Sequence, residues 1–70
     1  MPFANIKLPE AALTAEAKAE LIHAVTDLFC ARFGETVRPH CMVLIEEVKD
    51  GGYGRADEVF VIPPEYRARG

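Results

Sequence analysis

Covalent staples are scarce in this chain. Two cysteines, Cys30 and Cys41, are too few for a disulfide framework. No CxxC and no His/Cys cluster offers a zinc site. No apolar run approaches the ~18 residues of a membrane span, and no basic-then-apolar segment reads as a signal peptide. Basic charge is also in short supply. Lys and Arg number 8 against 11 Asp and Glu, a net charge of −3, which argues against a nucleic-acid binder. Repeats, linkers and low-complexity segments are absent. The expectation is a soluble cytoplasmic protein with reduced, inert thiols in apolar segments.

What remains is small and apolar. The 70 residues make one domain, and half of them are hydrophobic. A chain of this size buries only about 60% of its unfolded surface. With disulfides and metal set aside, oligomerisation is the staple left.

Phe3 to Leu8 alternates, with Ala4, Ile6 and Leu8 on one face and Phe3, Asn5 and Lys7 on the other. That pattern predicts a strand, which Pro9 ends. Glu10 to Leu13 connects to a helix with Thr14 as N-cap and Glu16 in its first turn. The helix runs to about Phe33, with Leu21, Ile22, Val25, Leu28, Phe29 and Phe33 as its apolar stripe. Gly34 suits the left-handed position beyond its end. Glu35 to Pro39 reads as a loop in which Pro39 holds Arg38 extended. His40 to Val48 is the second strand, apolar on both faces. One helix covers one face of a two-stranded sheet, so the other needs a second subunit. Strand, helix and strand make a βαβ unit with parallel strands. Lys49 to Arg55 is turn-rich, and Glu58 to Ile62 reads as a short third strand or an arm, stopped by Pro63 and Pro64. The fold class is α+β: a short β-α-β unit over residues 1–62, assembled as an oligomer, then a polar tail over 63–70.

The stretch with chemical promise is Met1-Pro2. Aminopeptidases remove Met efficiently ahead of a small residue, which leaves Pro2 with a free cyclic secondary amine. An α-amino group titrates near ~7.7–8.0, and apolar burial lowers that value. A base poised near the working pH is an efficient one. With Met1 attached, the Pro2 nitrogen is an amide without basicity. The plainer reading of Pro2 is a strand start, where a missing N–H costs nothing.

Other candidates weigh less. Glu46 and Glu47 are adjacent on a strand and face opposite ways, so they share no site. His23 lies on the polar side of the helix, and His40, which opens the second strand beside Arg38, is a better site candidate but reads first as structural. Gly51-Gly52-Tyr53-Gly54 lacks the phosphate-loop pattern and reads as a turn. Arginine suits an acidic substrate, because its planar fork matches a carboxylate and its charge steadies an enolate. Arg32 reads as a helix C-terminal charge, and Arg67 and Arg69 as solvated tail. Arg38 and Arg55 sit at element ends, where sites form.

Met1-Pro2, the alternating strand, the single amphipathic helix, the apolar strand near residue 40 and the Gly-rich turn near residue 52 together resemble the 4-oxalocrotonate tautomerase family over roughly residues 1–60. The resemblance implies hexamers built as trimers of dimers, with dimers or trimers among relatives, and no metal or organic cofactor. It implies that Pro2 shuttles a proton in a 2-hydroxydienoate or related enol, giving the ketone. Tyr53 matches an aromatic that shields the site, and Arg38 nearly matches an arginine early in the second strand, where this chain has His40-Cys41. The family's other arginine, after the first strand, is replaced by Glu10-Ala11-Ala12-Leu13. That loss puts a dicarboxylate substrate in doubt and leaves a monocarboxylate enol, or hydration of a halogenated acrylate, open. The expectation is a cofactor-free tautomerase with Pro2 as base and then acid. Arg38, with Arg55 from a neighbouring subunit, takes the substrate carboxylate, and Tyr53 closes the pocket. The alternative is a silent relative that keeps the fold as an assembly or ligand-binding module.

Overall fold

In the computed structural model, which describes residues 1–67, the alternating stretch Phe3–Pro9 is strand β1. Helix α1 spans Ala15–Phe33, strand β2 Met42–Val48, strand β3 Tyr53–Arg55 and strand β4 Glu58–Phe60. β1 and β2 pair in parallel, from Phe3 opposite Met42 to Pro9 opposite Val48. A connection containing a 19-residue helix lets two strands run parallel, which no hairpin permits.

The helix ends follow local chemistry. The Thr14 hydroxyl accepts a hydrogen bond from the Ala17 N–H at 3.1 Å, satisfying one orphan donor. Gly34 closes the other end at φ 97°, and its N–H donates to the Cys30 carbonyl at 2.8 Å. Side-chain alternation in the sheet is likewise as read. Lys18 on α1 reaches Glu47 at 2.5 Å. Glu46, on the opposite face, accepts from Asn5 Nδ2 at 2.8 Å and lies 3.8 Å from Lys7.

Four details depart from the sequence reading. The segment Glu35–His40 is a 3₁₀ helix with Pro39 inside it, so Arg38 is not extended, and β2 begins at Met42 rather than His40. The bias that proline imposes on its predecessor is outweighed by i→i+3 backbone bonds and by the Glu35–Arg38 side-chain pair. The third strand is half of a hairpin, β3 with β4, forming a second small sheet separate from the first. Its turn falls at Ala56 and Asp57, both left-handed, and the end of the stretch read as turn-rich, Tyr53–Arg55, is strand. The stretch read as a tail starts with a 3₁₀ turn over Pro64–Tyr66, and Arg67 pairs with Asp50, so its first half is docked. Arg69 lies outside the described residues.

The interior is thin. The molecule measures 43 × 30 × 14 Å, one helix deep on one sheet. Among the described residues only Cys30 and Ile62 are buried hydrophobics. Ala4, Ile6, Val43 and Ile45 face α1 and are half-buried. The other sheet face is bare: Phe3 is 55% exposed, Met42 52% and Leu44 43%. Ile22, Leu28 and Phe33 of the helical stripe are also exposed, because one narrow sheet receives only part of a helix surface. Among the described residues no helix is long and apolar enough to cross a membrane.

Candidate functional site

Pro2 sits one residue before β1, where the strand pairing fixes it. Its carbonyl accepts a hydrogen bond from the Met42 N–H at 3.0 Å. Because β2 starts where α1 and the 3₁₀ segment deliver the chain, that bond brings Pro2 beside the helix end. A hollow of about 430 Å³ opens there, lined by Met1, Pro2, Phe33, Thr36 and Val37. Its size lies in the range of small-molecule pockets. Its lining is mixed, with the Phe33 and Val37 side chains set against the Thr36 hydroxyl and backbone polar groups.

Arg38 follows Val37 but is spoken for. Its Nε donates to Glu35 Oε1 at 2.9 Å and its Nη2 to Glu35 Oε2 at 3.0 Å. Nη2 also lies 2.9 Å from Asp27 Oδ1 on α1. The fork-to-carboxylate geometry is the strong kind. Hydrogen bonding to Arg38 holds the Glu35 carboxyl below its usual range. Glu35 first and Asp27 second hold the guanidinium protonated well above its usual value. Drawing Arg38 onto a substrate would leave both carboxylates without their partner. His23 extends the network, with Nε2 3.2 Å from Asp27 Oδ2.

Tyr53 and Arg55 lie in the hairpin, gathered around Phe60. The Tyr53 ring meets Phe60 edge-on at 6.1 Å and 81°. The Arg55 guanidinium stands 5.8 Å from the Phe60 centroid, a cation–π approach. Arg55 and Phe60, with Ala56, Glu58 and Val59, line a second open hollow of about 310 Å³. The Tyr53 hydroxyl is buried without a hydrogen-bond partner among the described residues, a costly state that a ligand or a second chain would relieve. Within one chain, then, Tyr53 and Arg55 come together, while Pro2 and Arg55 line different hollows.

Two residues of these surfaces escaped the sequence reading. The helical periodicity places Phe33 in the apolar stripe. Its place as the last helical residue, next to the segment that leads to β2, is the signal that puts it beside Pro2. Phe60 carried only the weak signal of a strand residue. Burial raises the Cys30 thiol above its ordinary value. Cys41 donates from Sγ to the Val37 carbonyl at 3.4 Å. Both thiols are free. Among the described residues no group of three His, Cys, Asp or Glu could hold a metal ion.

Residues 2–62 match the model of the family described as Tautomerase enzyme. The chain is 38% identical over 56 residues to the Probable tautomerase Cj0270 of Campylobacter jejuni, covering 77% of this chain and 81% of that protein. The crystal structure of YwhB, described as a homologue of 4-oxalocrotonate tautomerase, superposes with a TM-score of 0.73 at 28% identity, over 83% of this chain and 92% of that one. DmpI from Helicobacter pylori superposes with a TM-score of 0.71 at 35% identity, over 83% and 94%.

Proposed function

The chain belongs to the tautomerase family of isomerases, and from that premise we propose that it interconverts the enol and keto forms of a small 2-hydroxy-enoate with the Pro2 amine as base and then acid. Loss of Met1 gives the amine its lone pair. Pro2 takes the enol proton, the carbonyl forms as the double bond shifts, and the prolinium returns the proton to the distal carbon. No redox partner enters that balance. The observation that carries the reading is the position of Pro2, held by the Met42 N–H at the mouth of a hollow walled by Phe33, Thr36 and Val37.

The substrate carboxylate needs a cation that is not already clamped. Glu35 and Asp27 engage Arg38, so its role becomes positioning of the Thr36-Val37 wall. Arg55 has no carboxylate within 4.0 Å among the described residues and flanks an open hollow. We assign the carboxylate to Arg55 of a second copy, with Tyr53 closing the pocket. The bare sheet face and the isolated hairpin support a homo-oligomer, and a hexamer is the form the family resemblance implies. The free thiols fit a cytoplasmic setting.

The test is Pro2→Ala, assayed in protein whose intact mass shows Met1 removed. Enol–keto conversion falls by at least about 10²-fold, the lower range for a positioned acid–base group, while the sedimentation coefficient stays that of the wild type. Undiminished turnover would remove Pro2 from the mechanism.

A further inference from the structure

We infer that Asp50 and Arg67 form a clasp that positions the β3–β4 hairpin, and that they act on substrate binding through Arg55 without touching the substrate themselves. The inference rests on the assignment of the substrate carboxylate to Arg55 of a second copy, and it names the residues that hold Arg55 in place. Among the described residues, no strand of the main sheet pairs with β3 or β4. A two-stranded hairpin alone is marginal in water. Something other than sheet pairing must fix where Arg55 stands.

The chain on either side of the hairpin supplies it. Asp50 lies just before β3, and Arg67 follows β4, beyond the Pro64–Tyr66 turn. Arg67 Nη2 donates to Asp50 Oδ2, so the entry and the exit of the hairpin are tied to each other. The entry is tied in turn to the main sheet. The Asp50 N–H donates to Glu10 Oε2 at 2.8 Å, and the Glu10 N–H donates to the Val48 carbonyl at 2.8 Å. The exit is seated by the buried Ile62 and by the Arg67 N–H, which donates to the Pro64 carbonyl at 3.2 Å. Between Asp50 and Tyr53 the chain has little freedom. The Gly52 N–H donates to the Lys49 carbonyl at 2.9 Å, and a Cβ at Gly52 would stand 2.8 Å from Val48 Cγ1. A shift at Asp50 is therefore carried to Tyr53 and on to Arg55. The Asp50 and Arg67 side chains are half-buried, and neither lines the hollow at Arg55.

The experiment measures KM and kcat on a 2-hydroxy-enoate for Met1-free wild type, Asp50→Asn, Arg67→Ala, Arg67→Lys, Arg55→Ala and the double variant Asp50→Asn with Arg55→Ala. Asp50→Asn and Arg67→Ala are each expected to raise KM by about 2- to 5-fold, the span that an ion pair open to solvent can shift, with kcat held. That split marks lost binding and intact chemistry. Arg67→Lys keeps the charge and restores part of the KM. In the Arg55→Ala background Asp50→Asn adds nothing, because the clasp acts through Arg55. Sedimentation checks that the variants assemble as the wild type does. If Arg67→Ala does not assemble, Asp50→Asn and the double variant decide. A lowered Tm with KM unmoved makes the clasp merely structural and overturns the inference, while a raised KM in Arg55→Ala leaves the carboxylate assignment standing. Effects of Asp50→Asn and Arg55→Ala that add in the double variant overturn it as well. Arg55→Ala without effect on KM overturns the carboxylate assignment itself, and turnover that survives Pro2→Ala overturns the tautomerase mechanism.

Discussion

Glu35 is the residue whose titration most directly reports on local order. Arg38 hydrogen bonds hold its carboxyl below the ordinary range. A carboxyl depressed in the folded state adds stability above its unfolded value of ~4.3 and loses it as pH falls through the folded value. The pair is exposed, so the effect is small. Glu35→Gln therefore lowers Tm slightly near neutral pH, and the gap to wild type closes as pH falls below about 4. A gap independent of pH would detach the effect from the ion pair. Cys30, buried and with its thiol raised, resists maleimide in the native protein and reacts once unfolded. Equal rates in both states would contradict its burial. At this scale Thr14 and Gly34 were legible, because each acts through its own backbone position. Arg38 was not. Which carboxylates claim it depends on the 3₁₀ segment folding back beside Asp27, and the sequence separates those residues by most of a helix turn series and a glycine.

Among the elements, α1 owes its start to one hydroxyl. Thr14→Ala removes the acceptor for the Ala17 N–H and costs about 1 kcal/mol, a drop of roughly 4–8 °C in Tm for a domain of this size. An unchanged melt would mean that another group caps the helix. The hairpin carries the opposite opportunity. Ala56 has φ 52° and Asp57 φ 65°, the paired left-handed geometry that Asn-Gly favours. Ala56→Asn with Asp57→Gly raises Tm, since a left-handed alanine costs about 1–2 kcal/mol. A lower Tm would show that the native side chains make compensating contacts. The helix and the parallel pair were readable because their periods, 3.6 and 2, are written in apolar positions. The hairpin was not legible because its turn at Ala56 and Asp57 holds no glycine, while Gly51, at φ 89°, marks the preceding turn. The β2 start was set too early because His40 and Cys41 look like strand residues when the 3₁₀ bonds are unseen.

Across the whole molecule, apolar surface exceeds what one chain can cover. Phe3, Met42 and Leu44 lie open on the sheet, and full burial of each side chain is worth about 1.5–3 kcal/mol. A two-stranded hairpin alone is marginal in water, and β3–β4 stands apart from the main sheet. Leu44→Glu is expected to lower the sedimenting mass and to make the melt independent of protein concentration. The wild-type mass retained at high dilution would place the interface elsewhere. The bare sheet face was legible in β2, which is apolar on both faces. That Pro2 and Arg55 line different hollows was not, because it depends on where the hairpin lies. The central claim is that a free Pro2 amine does the chemistry. Its most direct test separates one preparation into fractions with and without Met1, confirmed by intact mass, and measures turnover of a 2-hydroxy-enoate by each. Activity confined to the Met1-free fraction is the predicted result. Equal activity in the Met1-bearing fraction, where the Pro2 nitrogen is an amide, would contradict it.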